Sequence, residues 1–170
     1  MKLLFISLGC DKNLVDSEEM LGMLAADGHE IVDDEDEAEV IIVNTCCFIG
    51  DAKEESVNTI LEMAEKKKAG TCKVLIVTGC MAQRYKKEIS EEIPEVDAIL
   101  GTTSYGDISK AVKEAQAGRH FEEYKSIDFL PDISGKRMLT TGGHFAYLKI
   151  AEGCDKHCTY CIIPRLRGGY

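Results

Sequence analysis

Three cysteines near the C-terminus, Cys154, Cys158 and Cys161, stand at C-x3-C-x2-C spacing on one short stretch. Thiolates are soft donors, and a group this tight favours zinc or an iron–sulfur cluster over hard cations. Three thiolates on a cubic 4Fe–4S cluster leave one iron without a protein ligand, open to substrate or cofactor. A structural zinc site would take a fourth donor, and His157 lies within the same loop. The spacing alone leaves both metals open.

Five further cysteines precede that loop: Cys10, Cys46, Cys47, Cys72 and Cys80. Leu4–Cys10, Val40–Cys46 and Val74–Cys80 share one pattern, an apolar run, a short polar or glycine turn, then cysteine. Open α/β sheets bind ligands just beyond the carboxyl ends of their strands, at the point where strand order reverses. Neighbouring strands lie about 4.8 Å apart, so three thiols placed this way converge within the width of one cluster. Any one of them alone would read as an ordinary buried cysteine. Cys47 abuts Cys46 and reads as packing, while Cys72 precedes its strand and belongs at the opposite edge. Asn13, Asp16, Ser17 and Asn44 stand close to the repeated pattern. They either orient whatever is held there or serve as helix caps and turn formers.

The elements that position these residues follow from hydrophobic periodicity. Lys2–Ser7 is a β run, Leu14–Asp27 a helix stopped by Gly28, and Glu30–Val32 a short strand. Six acids within Asp33–Glu39 read as a solvated loop, with a docking patch as the alternative. Val40–Val43 is a β-branched run typical of a strand buried on both faces. A helix starts at Asp51 with Glu54 as its capping partner, carries a stripe of Val57, Ile60, Leu61 and Ala64, and ends at Gly70. Val74–Val77 is the next strand, followed by a third helix through Ala82, Tyr85 and Ile89 that Pro94 stops. Ala98–Leu100 is the fifth strand, and Ile108, Ala111, Val112 and Ala115 line a fourth helix ending at Gly118.

This alternation predicts an α/β fold, a mostly parallel five-stranded sheet in order 2-1-3-4-5 with helices on both faces, flavodoxin-like. No G-x-G-x-x-G or Walker pattern occurs, so a dinucleotide or P-loop site is not supported. The expected division is a domain over 1–118, a linker over 119–143, and a new unit from 144 that opens with a strand at Phe145–Ala151.

Composition bounds the setting. The apolar run after Met1-Lys2 is too short for a signal-peptide core, and nothing approaches a membrane span, so a cytoplasmic protein with no membrane partner is expected. Eight cysteines in that setting point to metal or redox chemistry, not a disulfide frame. Residues 1–135 hold 14 Lys and Arg against 28 Asp and Glu, whereas residues 136–170 hold six against two. An acidic domain repels a phosphate backbone, so direct nucleic-acid binding is not expected, and a basic protein partner suits it better. The same acidity also serves simple solubility.

Tyr160, just before the last cysteine of the C-terminal loop, completes C-x3-C-x-Φ-C, which resembles the signature of the radical S-adenosylmethionine enzymes. The continuation Cys161-Ile162-Ile163-Pro164-Arg165-Leu166-Arg167-Gly168 is similar to that of the methylthiotransferase branch. Leu8–Glu18, Val43-Asn44-Thr45-Cys46 and Thr78–Arg84 are similar to the N-terminal domain of that family. The resemblance implies two 4Fe–4S clusters and S-adenosylmethionine. Cys154, Cys158 and Cys161 would hold the cluster that cleaves S-adenosylmethionine, with Tyr160 beside the adenine. Cys10, Cys46 and Cys80 would hold an auxiliary cluster carrying the sulfur species. An electron donor of the flavodoxin or ferredoxin type is implied as well.

Cys10-Asp11-Lys12-Asn13 is similar to the ribosomal-protein branch, whose substrate is the β-carbon of an aspartate in small-subunit ribosomal protein twelve. The tRNA branch, which shows Gln-Met-Asn after that cysteine, is the alternative, and a zinc-binding structural module the more distant one. Family members continue through a full barrel and a C-terminal TRAM domain. This chain is therefore expected to hold only the first strand of that barrel and to be inactive alone.

Overall fold

The computed structural model describes residues 1–131, 135 and 137–170. Strands β1 (Lys2–Ser7), β2 (Glu30–Ile31), β3 (Val40–Thr45), β4 (Val74–Gly79), β5 (Ala98–Leu100) and β6 (Phe121–Glu123) form one sheet in the order β2-β1-β3-β4-β5-β6. Every pairing is parallel. β3 and β4 are buried at each position, as the apolar runs Val40–Val43 and Val74–Val77 require of strands covered on both faces. The expected five strands and their order are present. β6 is additional and lies past Gly118, in the stretch read as linker. It is a partly exposed edge strand of Phe-Glu-Glu, so no apolar run marks it.

Side chains alternate between two cores. On one face Val40, Ile42, Ile76 and Leu100 pack against Met20 and Leu24 of α1 (Asp11–Ala26) and against Ile108 and Val112 of α5 (Ile108–Gln116). On the other, Ile41, Val43, Leu75 and Val77 meet Ile60 and Met63 of α2 (Gly50–Lys68), with Met81 of α3 (Cys80–Arg84) and Ile89 of α4 (Lys86–Glu92). Burial of each such side chain contributes roughly 1.5–3 kcal/mol, so these two layers hold the sheet edge that carries the cysteines.

Several expectations are corrected. α1 starts at Asp11, directly after Cys10, and α2 starts after Ile49 with no side-chain cap, so Asp51 and Glu54 form no capping box. The third helix is two helices, broken at Tyr85 with φ −116° and ψ 34°. Ala82, Tyr85 and Ile89 keep helical spacing across the break, which hides it in the sequence.

Phe145–Ala151 forms no strand. A strand needs a neighbour to complete its ladder, and none of the six strands pairs with it; Leu148 and Ile150 remain 83% and 77% exposed. The acidic loop is partnered by lysines: Glu37 with Lys2, Glu35 and Asp36 with Lys66, and Glu39 with Lys73. Such exposed pairs contribute little, as a solvated loop would. Among the described residues, no helix is long and apolar enough to cross a membrane.

Candidate metal centre at the sheet edge

The carboxyl ends of β1, β3 and β4 are neighbours at the point where strand order reverses. Ser7 pairs with Asn44 and Asn44 with Thr78, and Thr45 pairs with Gly79. Cys46 and Cys80 therefore leave the sheet at equal height on adjacent strands. Cys10 follows one residue later. The Leu8 N–H still bonds the Asn44 carbonyl at 2.9 Å, and Gly9 then turns the chain with φ +93°. A Cβ at Gly9 would sit 2.5 Å from Cys46 Cβ and 2.8 Å from its Sγ, so the Cys10 turn is seated on Cys46. Cys46 and Cys80 are 5% exposed, and Cys10 is open to solvent.

The polar residues beside them are neither caps nor turn formers. Asn13, fully buried, donates through Nδ2 to the Leu8 carbonyl at 3.0 Å and the Thr45 carbonyl at 2.8 Å. Its Oδ1 accepts from Arg167 Nη2 at 2.6 Å and faces the Cys80 thiol at 3.8 Å. Asn44 Nδ2 donates to the Asn13 carbonyl and to Ser17 Oγ, and Ser17 Oγ lies 2.7 Å from Ser7 Oγ. Ser56 of α2 accepts from the Cys46 N–H and donates to the Cys46 carbonyl. One buried net thus fixes the backbone of the turns around Cys10 and Cys46 and meets the Cys80 thiol. Burial pushes the Cys80 thiol up to about 12, with the Arg167 guanidinium opposing it. A metal taken up here must displace that proton.

Cys47 packs into the core under α2, as expected. Cys72 lies at the opposite edge, its thiol donating to the Val74 carbonyl at 3.0 Å, and is remote from the site.

The second set sits on the loop that follows Phe145–Ala151. Cys154 and Cys161 are half-buried and Cys158 exposed, while His157 is exposed with φ 44°. Tyr160 is 88% exposed and lines a cavity of about 460 Å3 with Phe48, Arg84, Cys158, Pro164 and Arg165. Phe48 follows Cys46 by two residues, and Arg84 closes the helix that Cys80 opens. The second loop is therefore laid against the ends of β3 and β4.

Sequence reading missed what holds it there. Arg167, on α6 (Ile163–Arg167), is 1% exposed and reaches Asp16 at 2.8 Å and Glu152 at 2.9 Å. Lys149 bonds Asp16 at 2.5 Å and also pairs with Glu152. Burial works against both cations, and the two carboxylates outweigh it, so Lys149 and Arg167 are held charged. Farther along α1, Glu18 is fully buried and accepts from Arg137 Nε at 2.7 Å, the Thr140 N–H at 2.6 Å and the Thr140 hydroxyl at 2.8 Å. No local pattern signals these pairs, because the partners lie more than a hundred residues apart.

Among the described residues, no three Cys, His, Asp or Glu side chains are gathered in a geometry ready to hold a metal. The donor set itself fits an iron–sulfur cluster: soft thiols on adjacent parallel strands, an open Cys10, and a glycine that lets Cys10 approach Cys46. A second set of soft thiols lies on the neighbouring loop.

A sequence profile for the family described as Uncharacterized protein family UPF0004 matches residues 2–101, which span β1 to β5 and the three strand-end cysteines. The chain belongs to the UPF0004 family. The UPF0004 stretch thus contains the first cysteine set, and the second set lies beyond it. Over all 170 residues the chain is 63% identical to a ribosomal protein uS12 methylthiotransferase RimO of Lachnoclostridium phytofermentans, of which it covers 39%. It is 52% identical over its whole length to the protein of that name from Clostridioides difficile, covering 38% of it. Over 99% of the chain it is 50% identical to the one from Trichlorobacter lovleyi, again covering 38%. The chain therefore spans under two fifths of the length of these curated relatives.

Proposed function

We propose that this chain is the N-terminal portion of a radical S-adenosylmethionine methylthiotransferase acting on an aspartate of ribosomal protein uS12. The observation that carries the reading is the match to uS12 methylthiotransferases across the whole chain, both cysteine sets included. Cys10, Cys46 and Cys80 would hold one 4Fe–4S cluster, and Cys154, Cys158 and Cys161 another. When bound, such clusters supply one-electron chemistry and an iron open to an exogenous ligand, which side chains alone cannot.

The chain's own residues bind, orient and exclude water. Asn13, Asn44 and Ser56 fix the turns that carry the first thiols, and the buried Cys46 and Cys80 keep one side of the site dry. Tyr160 offers an aromatic face beside a cavity where a nucleoside can lie, with Arg84 and Arg165 on its wall. The division would be an N-terminal domain over 1–118 that contains the UPF0004 stretch and is extended at its sheet edge by β6, a connecting stretch from there to 143, and the opening of the radical S-adenosylmethionine unit from 144. The setting is cytoplasmic, with a reductant of the flavodoxin or ferredoxin type.

Anaerobic reconstitution tests this. The chain should take up about eight iron and eight sulfide, the content of two cubic clusters. Stoichiometric zinc with no iron would replace the reading by a structural zinc module.

A further inference from the structure

The loop carrying Cys154, Cys158 and Cys161 is closed at its base by its own backbone. The Gly153 N–H bonds the Gly169 carbonyl at 3.0 Å, and the Cys154 N–H bonds the Gly168 carbonyl at 3.1 Å. A side chain at position 153 would collide with the Gly168 carbonyl, so only glycine allows the two stems to close this tightly. Glu152 and Arg167 stand on opposite stems and pair across the base at 2.9 Å.

This base is bolted to α1. Arg167 reaches Asp16 and Asn13, Lys149 reaches Asp16, and Lys12 Nζ donates to the Glu152 carbonyl at 2.6 Å. Asn13 is the residue that ties the turns of Cys10 and Cys46 together and faces Cys80. Arg167 therefore touches both cysteine sites through one guanidinium. Thr102 adds a bond from the end of β5, its hydroxyl donating to the Leu166 carbonyl at 2.7 Å.

Asp16, Lys149, Glu152 and Arg167 are each no more than 8% exposed at their side chains. Four buried charges are a poor route to stability, because desolvation offsets their attraction and an apolar cluster of equal volume does as well. What they supply is direction. A planar guanidinium meeting two carboxylates and an amide has one position, whereas apolar packing can slide.

We infer that the Asp16–Lys149–Glu152–Arg167 cluster is a positioning device that sets the second cysteine loop at a fixed place and spacing relative to the first cysteine set. Arg167 and Asp16 are positioning residues, not metal ligands. The inference rests on the two-site reading above for what is being spaced, while the mechanical claim stands on the metal-free chain.

Two measurements on the 170-residue chain separate these claims. In the metal-free chain, amide exchange at Gly153 and Cys154 should accelerate about tenfold or more in Arg167→Gln and in Asp16→Asn, with the amides of β3 and β4 unchanged. The double variant should be no looser than the looser single, and Arg167→Lys should restore protection only in part, since one ammonium nitrogen cannot reproduce the fork that reaches Glu152 from Nη1 and Asn13 and Asp16 from Nη2. In the reconstituted, reduced chain, iron content should stay at the wild-type level. The magnetic interaction between the two centres, read by electron paramagnetic resonance, should weaken in the same variants. Unchanged exchange, equal loosening of β3, or an undiminished interaction would overturn the positioning role. A wild-type chain that takes up no iron would overturn the cluster assignment instead, leaving the exchange result to judge the device.

Discussion

Asn13 donates to the Thr45 carbonyl at 2.8 Å, tying the helix that follows Cys10 to the turn that presents Cys46. The same amide holds Leu8, and its oxygen receives Arg167. Asn13→Ala strands two buried carbonyls and one guanidinium edge, and should cost about 2–3 kcal/mol in urea unfolding. Asn13→Asp should be no gentler, because it sets an acceptor against those carbonyls. A loss under about 0.5 kcal/mol in either variant would show that the turns hold themselves.

Ligand identity is tested by substitution of each thiol. Cys10→Ala, Cys46→Ala and Cys80→Ala should each lower reconstituted iron from about eight to about four per chain, because two thiolates seldom retain a cubic cluster. Cys72→Ala should leave iron unchanged, its thiol being spent on the Val74 carbonyl at the far edge. Iron loss in Cys72→Ala, or full retention in Cys80→Ala, contradicts the assignment.

Gly9 combines φ +93° with the Cys46 side chain directly beneath it. Gly9→Ala should cost about 1–2 kcal/mol from the left-handed backbone alone and more from the overlap. The first cluster should be lost with it while the second remains. Iron analysis beside a urea titration reads both effects, and an Ala variant that matches the wild type in both would mean that Cys10 need not sit on Cys46.

Glu18 gives the clearest pH dependence. Burial alone would raise its carboxyl, but the Thr140 N–H, the Arg137 guanidinium and the Thr140 hydroxyl outweigh it and hold it below the usual carboxylate range. An acid with a lowered folded pKa adds stability that is full above its unfolded value and is lost as pH falls through the folded value. Protease sensitivity of the 137–147 stretch should therefore rise on acidification below about pH 4.5. Glu18→Gln should show that sensitivity already at neutral pH and lose the acid dependence. Equal acid dependence in the variant would assign it to another group.

Substrate choice separates the ribosomal-protein reading from tRNA. The chain joined to the remaining length of a uS12 methylthiotransferase relative should be offered ribosomal small subunits and isopentenylated tRNA in parallel. A mass gain of one methylthio group on uS12 and none on the tRNA is the expected result. Modification of the tRNA alone would move the chain to the other branch without disturbing either cysteine set.

The sheet was legible because its signals are local. Val40–Val43 and Val74–Val77 announce buried parallel strands by composition, and Cys46 and Cys80 follow them at the same offset that the ladder preserves. Local periodicity carried no information on contacts whose partners are distant in the chain. Asp16 on α1 gives no sign that Arg167, 151 residues later, will neutralise it, nor Glu18 that Arg137 will. β6 and the unpaired Phe145–Ala151 run show the same limit from opposite sides. Phe121–Glu123 lacks strand composition but finds β5 beside it, while Phe145–Ala151 has the composition and finds no edge. A strand is completed by its neighbour and a buried charge by its partner, and both are supplied by the tertiary fold.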